Sequence, residues 1–377
     1  MNGSISGDSE RRHLLFVVGT RPEIIKMAPV IRAAEAREDV RSTLVHTNQH
    51  YDEELSGVFF ETLGLAAPDE NLGIGSSSHA QQTADGLVAI DDVLTEYEPD
   101  VVYAQGDTNA VLSTALAASK RETTFAHVEA GIRSGDWSMP EEVNRVLADG
   151  VSDLLFAPTE VAAENLQEEG IDTNVFVSGN TVVDACLENA RIATRASTIL
   201  DEFGLSTGSY AVATIHRPGN TDDTDRLHAI LAALDTADCP VVLPAHPRTR
   251  DAIDDWEDGP SGSLRVVDPL GYLDFLQLLS SARVVVTDSG GVQEEAAILE
   301  VPCLTVRENT ERPETVDAGV NELVTPETVG DRLATVLTDD GVFESMRGHP
   351  ELYGDGRAGE RIVDRTLAEL EPAPELA

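Results

Sequence analysis

The stretch Leu14-Leu15-Phe16-Val17-Val18-Gly19-Thr20-Arg21-Pro22-Glu23-Ile24-Ile25-Lys26 decides the fold class. Apolar residues in an unbroken run, without polar alternation, are the pattern of a strand buried on both faces, as in a parallel sheet. The run stops at Gly19, and Pro22 stands where a helix can start. Free amide groups at such a helix start favour an anion, with Arg21 and Lys26 close by. For so short a motif a solvated first turn carrying two ordinary cations is an even alternative, but the placing of one of only two lysines here shifts the balance toward the anion. No GxGxxG follows the strand, which speaks against a nicotinamide or flavin dehydrogenase and against an epimerase relying on tightly held NAD.

The same rhythm runs outward along the chain. Candidate strands are Leu14 to Val18, Thr43 to Thr47, Val101 to Gln105, Thr124 to Val128, Leu154 to Ala157 and Val175 to Ser178, with helical patterns between them. It restarts with Tyr210 to Thr214, Val241 to Leu243, Leu264 to Val267, Val284 to Thr287 and Pro302 to Val306. The expected class is α/β, with two Rossmann-like doubly wound domains facing a central cleft. A helical stretch from Val182 to Phe203 leads into the turn-rich Gly204 to Ser209, near which the domains should part. We divide the chain into an N-terminal extension (1–12), a first domain (13–185) and a second domain (186–358). A last helix, about 359–371, is expected to pack on the first domain, as in the two-Rossmann sugar-nucleotide enzymes of glycosyltransferase-B-like architecture that this pattern resembles.

Sixty-eight acidic residues against 26 basic ones give a net charge of −42 over 377 residues, which makes nucleic acid an unfavourable partner. The only lysines are Lys26 and Lys120, and the acids are spread over presumed helical surfaces, a pattern resembling proteins of salt-accumulating halophiles. No apolar run is long enough to span a membrane, and the first residues lack the apolar centre of a signal peptide, so a cytoplasmic, soluble protein is expected. Cys186, Cys239 and Cys303 form neither a CxxC pair nor a zinc-like spacing and are read as reduced core residues; no metal site is expected.

Ligands of open parallel sheets bind beyond the carboxyl ends of strands, so the residues after each strand carry the functional reading. Gln105-Gly106-Asp107-Thr108-Asn109 and His127-Val128-Glu129-Ala130-Gly131-Ile132-Arg133 each place a carboxylate there, and Met139-Pro140-Glu141-Glu142-Val143-Asn144-Arg145 adds another. Asp107 could serve only as a helix cap. Glu129, at the end of an apolar strand, needs a partner, a ligand or a raised pKa. Several carboxylates converging on one cleft suggest acid/base chemistry. In the second half, Ile215-His216-Arg217-Pro218 follows one strand, and Asp288-Ser289-Gly290-Gly291-Val292-Gln293-Glu294-Glu295 follows another as a glycine turn and helix start suited to phosphate, with Glu295 placed for ribose hydroxyls. His246 and Arg248 form a further candidate pair.

Taken together, GTRPEIIK, QGDTNA, HVEAGIRSGD, MPEEVNR, SGNTVVDA, DSGGVQEEA and ENTERPETVDAG resemble the non-hydrolysing UDP-N-acetylglucosamine 2-epimerases over nearly the whole chain. The resemblance implies a homodimer that interconverts UDP-N-acetylglucosamine and UDP-N-acetylmannosamine without an external cofactor, by anti elimination of UDP to 2-acetamidoglucal and its return. It implies acid/base roles for Asp107, Glu129 and Glu141. Arg21, Lys26, Arg145 and His216 would assist the diphosphate and sugar, and Ser289, Gly290, Gly291, Glu295 and Arg312 would bind UDP. The chain departs from the family in three places. His216-Arg217-Pro218-Gly219-Asn220 stands where His-Arg-x-Glu-Asn is common; the segment Gly135 to Met139 is short, as in relatives acting on more decorated sugars; and Ser77, Ser78 and His79 occupy the region where an arginine joins a Gln-rich motif like Asn48-Gln49-His50 in substrate-activated members. A 2-epimerase for a more decorated UDP-2-acetamido sugar and a UDP-sugar-dependent glycosyltransferase are the competing readings.

Overall fold

The structure, a computed structural model, describes residues 11–48, 60–245, 249–250, 253, 259–348 and 352–371. His246, Arg248, Gln49 and His50 lie outside the described residues, as does residues 1–10 of the expected N-terminal extension. The chain divides into two compact units, one of residues 1–185 and 354–377, the other of residues 186–353.

Unit 1 holds β1 (Arg12–Val18), β2 (Val40–His46), β3 (Glu70–Asn71), β4 (Val101–Gln105), β5 (Thr124–Val128), β6 (Leu154–Ala157) and β7 (Val175–Val177). They form one sheet in the order β3-β2-β1-β4-β5-β6-β7, and every pair is parallel. Leu14 to Val18 are at most 1% exposed, which explains why β1 reads as a continuous apolar run: helices cover both faces of a parallel sheet. The helix Asn109–Ala118 is buried at nine of its ten positions and therefore carries no polar stripe. Its Ser113 and Thr114 hydroxyls are satisfied within the helix, donating to the Asn109 and Ala110 carbonyls at 2.7 Å. The last helix, Ala358–Glu369, packs on the helix Arg21–Glu35 of this unit so closely that a Cβ on Gly359 would come within 2.7 Å of the Pro29 carbonyl.

Unit 2 holds β8 (Ala211–Thr214), β9 (Val241–Pro244), β10 (Leu264–Val267), β11 (Val284–Thr287), β12 (Cys303–Val306) and β13 (Asn321–Val324). Their order is β10-β9-β8-β11-β12-β13, again all parallel. Both sheets have the doubly wound order with one topological switch point, between β1 and β4 in unit 1 and between β8 and β11 in unit 2. The fold class is α/β, as the apolar runs imply.

Several local expectations need correction. Arg12 belongs to β1, not to an extension: it pairs with Val40, and its guanidinium meets the Asp100 carboxylate at 3.1 Å. β3 and β13 have no counterpart in the sequence reading, because each lies at a sheet edge and carries polar residues where central strands are apolar. The helix expected from Val182 to Phe203 is two helices, Thr181–Ala196 and Ile199–Phe203. Ser197 breaks it, accepting from the Ile199 amide and donating to the Asp274 carboxylate at 2.6 Å. All three cysteines are free thiols; burial pushes Cys303 up to about 12 and raises Cys186 and Cys239, so none is poised as a nucleophile. Among the described residues no helix is long and apolar enough to cross a membrane, and no group of three metal-ligating side chains is assembled.

Candidate functional site

In unit 1 the candidate residues follow β1, β4 and β5, the strands at and beside the switch point. The turn after β1 is organised by Glu23. This buried carboxylate accepts from the amides of Thr20 (2.6 Å) and Gly19 (3.1 Å), capping the helix that begins at Arg21, and from the Thr108 hydroxyl (2.7 Å) beyond β4. Burial pushes its carboxyl up against these bonds. Glu23 thus ties the two turns that flank the switch point. Arg21, at the first helical position, is exposed, while Lys26 lies one turn further along.

Lys26 Nζ donates to both Glu129 oxygens, at 2.9 and 2.8 Å, and Gln105 Nε2 donates to the same carboxylate. The partner that a strand-end Glu129 requires is therefore Lys26, brought from another element. Glu129 also has φ +71°, a left-handed conformation uncommon for a non-glycine residue. Two residues on, Gly131 has φ +79°, and a Cβ there would lie 2.1 Å from the Ala162 carbonyl oxygen, so only glycine fits.

Asp107 is not the helix cap. That position belongs to Thr108, whose hydroxyl accepts from the Val111 amide, while the Asp107 carboxylate pairs with Arg145. Arg145 also meets Glu142 at 2.9 Å, and Asn144 donates to the Asp107 carbonyl at 3.0 Å. Glu142, rather than its neighbour Glu141, is the buried member of the pair. It accepts from the Ser134 amide and hydroxyl and the Gly135 amide, which hold the short Gly135 to Met139 segment and lower its pKa although burial opposes them. Glu141 is partly buried, and its carboxylate has no ion pair or hydrogen bond among the described residues.

In unit 2 the two motifs flank the switch point between β8 and β11, and Asp288 joins them. Its carboxylate is fully buried and accepts from the His216 amide (3.1 Å), the Arg217 amide (3.0 Å) and Asn220 Nδ2 (3.0 Å). His216 Nδ1 is 3.3 Å from the same carboxylate, and its ring is 46% exposed. At the departure Gly219, no described residue outside its own helical turn comes within 4 Å of where a Cβ would sit.

Ser289 occupies the N-cap of the helix Gly290–Ile298 without a side-chain capping bond, so a capping serine does not account for this turn. Gly290 and Gly291 open the helix, and no described residue outside this turn lies within 4 Å of where a Cβ on Gly291 would sit, room for a ligand to approach the first-turn amides. Glu295 is partly buried; burial pushes its carboxyl up to about 7, opposed by a hydrogen bond from Tyr272 and aided by the charge of Glu294. Arg312 stands 2.6 Å from Glu294, and its amide donates to Thr310 Oγ1 at 3.0 Å. Within unit 1 the structure therefore brings together Lys26 with Glu129 and Asp107 with Arg145; within unit 2 it groups His216 with the Asp288 turn and sets Arg312 beside the helix of Glu295.

Known proteins resemble this chain over most of its length. A sequence model described as UDP-N-acetylglucosamine 2-epimerase matches residues 32–366. The UDP-N-acetylglucosamine 2-epimerase of Methanocaldococcus jannaschii is 44% identical over 93% of this chain and 97% of its own length. This chain belongs to the UDP-N-acetylglucosamine 2-epimerase family. The M. jannaschii UDP-GlcNAc 2-epimerase solved in complex with UDP-GlcNAc and UDP superposes with a TM-score of 0.75 at 44% identity, covering 95% of this chain and 99% of that one. The UDP-2,3-diacetamido-2,3-dideoxy-D-glucuronate 2-epimerase of Pseudomonas aeruginosa is 40% identical over 93% of this chain and 98% of its own length. With such relatives, the two α/β units of this epimerase-family chain are of the glycosyltransferase-B-like class.

Sequence reasoning quoted Glu23, Gln105, Glu142 and Asp288 within motifs but gave them no role. For Glu142 a signal exists: it stands three residues before Arg145 on one helix face. For Tyr272, which bonds Glu295 from another element, there is none.

Proposed function

We propose that the protein interconverts UDP-N-acetylglucosamine and UDP-N-acetylmannosamine as a non-hydrolysing 2-epimerase. The observation that carries this reading is the pairing of carboxylates with cations at strand ends, Glu129 with Lys26 and Asp107 with Arg145, in a chain of this family. Hydrogen at C2 of the sugar is unactivated, so its removal requires a positioned base and a stabilised leaving group. A carboxylate among Asp107, Glu129 and Glu141 takes the C2 proton while the C1–O bond breaks and its electrons leave with UDP. The intermediate is 2-acetamidoglucal. A UDP oxygen then re-forms the bond at C1, and C2 takes a proton on the opposite face, inverting that centre. Lys26, Arg21, Arg145 and His216 supply positive charge or hydrogen bonds for the departing diphosphate and the sugar. Ser289, Gly290 and Gly291 offer a hydroxyl and backbone amides to phosphate, Glu295 accepts from ribose, and Arg312 assists UDP binding. No external cofactor enters this scheme, and the expected assembly is a homodimer.

NMR of the purified chain with UDP-N-acetylglucosamine in D2O at high salt, without acceptor or cofactor, tests the proposal. Deuterium at C2 and the anomeric signal of UDP-N-acetylmannosamine are the expected result, with free N-acetylmannosamine absent. Folded protein that exchanges nothing overturns it. Changing Asp107 or Glu129 to the amide should lower kcat by about 100-fold or more, the usual share of a general acid or base. A second reading, a more decorated UDP-2-acetamido sugar, is favoured by the short Gly135 to Met139 segment and by the 40% identity to the P. aeruginosa enzyme. Exchange with such a sugar and not with UDP-N-acetylglucosamine would select it.

A further inference from the structure

A buried ionic knot lies beneath the acid/base residues of unit 1, and none of its members carries a role in the scheme above. The His127 ring is wholly buried on β5, two residues before Glu129. Its Nε2 is 2.8 Å from the Gly106 carbonyl oxygen, and its Nδ1 is 2.6 Å from Asp149 Oδ1. A carbonyl oxygen can only accept, so Nε2 carries a hydrogen. The other Asp149 oxygen accepts from the Gly131 amide at 3.1 Å and lies 2.7 Å from Arg133 Nη1, two partners that can only donate. Against burial, the ion pair with Arg133 and the protonated ring hold the Asp149 carboxyl below its usual range, so it is an ionised acceptor, which leaves the second ring hydrogen to Nδ1.

We infer that His127 is a buried imidazolium that braces the turns bearing Asp107 and Glu129, acting as a positioning residue for epimerisation. One arm of the brace ends on Gly106, adjacent to Asp107. The other runs through Asp149 to Gly131, two residues beyond Glu129. Both anchors are left-handed glycines, at φ +87° and +79°, and Glu129 itself is left-handed, so these turns depend on their surroundings for their shape. The charges facing His127 are Asp149 from the helix Pro140–Asp149 and Glu129 from the end of its own strand. Arg133 faces Asp149 and is held in turn by Glu169 at 2.7 Å, so the chain His127, Asp149, Arg133, Glu169 is neutral as a whole. Burial alone would strip the ring of its extra proton, but Asp149, Gly106 and Glu129 outweigh it and raise the His127 pKa, while Asp149 is held low.

The inference rests on the acid/base reading of Asp107 and Glu129, and two readouts separate them. In the full chain labelled with 15N-histidine, which has nine histidines, the ring signal lost in His127→Gln should show both nitrogens protonated at neutral pH. Epimerisation by folded His127→Gln should lose about 100-fold in kcat with KM changed less than about threefold, since the carboxylates are displaced while nucleotide contacts persist. A wild-type ring with one bare nitrogen at neutral pH overturns the brace, as does a folded variant with wild-type kcat. Because the ring state is read on the unsubstituted chain, with through-space assignment as the alternative, a variant that fails to fold leaves the inference decidable. A doubly protonated ring in a chain that exchanges no substrate hydrogen overturns the epimerase reading instead.

Discussion

Glu295 shows how much a single side chain owes to its surroundings. In sequence it is one of two successive acids after a glycine turn; in the fold, burial pushes its carboxyl up to about 7 despite the Tyr272 hydroxyl. A carboxyl with a raised folded pKa keeps a proton that the unfolded chain has already lost, so stability falls as pH rises from about 4.5 to about 7 and then levels. Glu295→Gln should remove most of that slope, worth at most about 3 kcal/mol. Urea unfolding of both forms on either side of this window measures it, and parallel pH profiles would show that Glu295 ionises freely. His127 has the opposite sign of charge: its contribution is complete below the ordinary histidine range and is lost as pH rises through the raised value.

At the scale of elements, the turn after β5 is a place where a helix leaves no room for a side chain. Gly131 is left-handed, and its missing Cβ is the gap into which the Ala162 carbonyl of the helix Glu160–Glu168 fits. Gly170, just past the end of that helix, is equally left-handed at φ +83°, but a Cβ there would meet no described residue beyond its chain neighbours within 4 Å. Gly170→Ala should cost only the backbone penalty, about 1–2 kcal/mol. Gly131→Ala adds overpacking against main chain that cannot move aside, for a total of about 2–5 kcal/mol. Thermal unfolding of the two variants compares them, and equal losses would contradict the close packing. Polar strand ends elsewhere follow one logic: from across a switch point Asp288 after β11 accepts the His216 and Arg217 amides, and Glu23 after β1 accepts the Thr108 hydroxyl, so motifs distant in sequence share one buried carboxylate.

At the scale of the molecule, the charge of −42 sets the conditions under which the fold is stable. Self-repulsion among like charges is screened as the Debye length shrinks to roughly 3 Å near 1 M salt. Tm should therefore rise steadily between about 0.1 M and about 2 M KCl; a flat or falling Tm would mean that the acids are already neutralised within the fold. How much was legible in advance differs by feature, for physical reasons. Apolar runs such as Leu14 to Val18 report burial on both sheet faces, so the α/β class and the central strands could be read from the sequence, whereas β3 and β13, polar at sheet edges, could not. Motifs marked the turns after parallel strands, because residues there project beyond the sheet. Which acid is held by which cation was not legible: Lys26 with Glu129 and Arg145 with Asp107 are separated by 103 and 38 positions. Nor was it visible that Glu142 rather than Glu141 is buried, or that Thr108 rather than Asp107 caps its helix. Sequence by itself determined strand burial, turn chemistry and net charge, since these depend on residues near in the chain. Only the tertiary structure decided pairings, protonation and the conformation of Glu129, since each depends on groups brought together by the sheet.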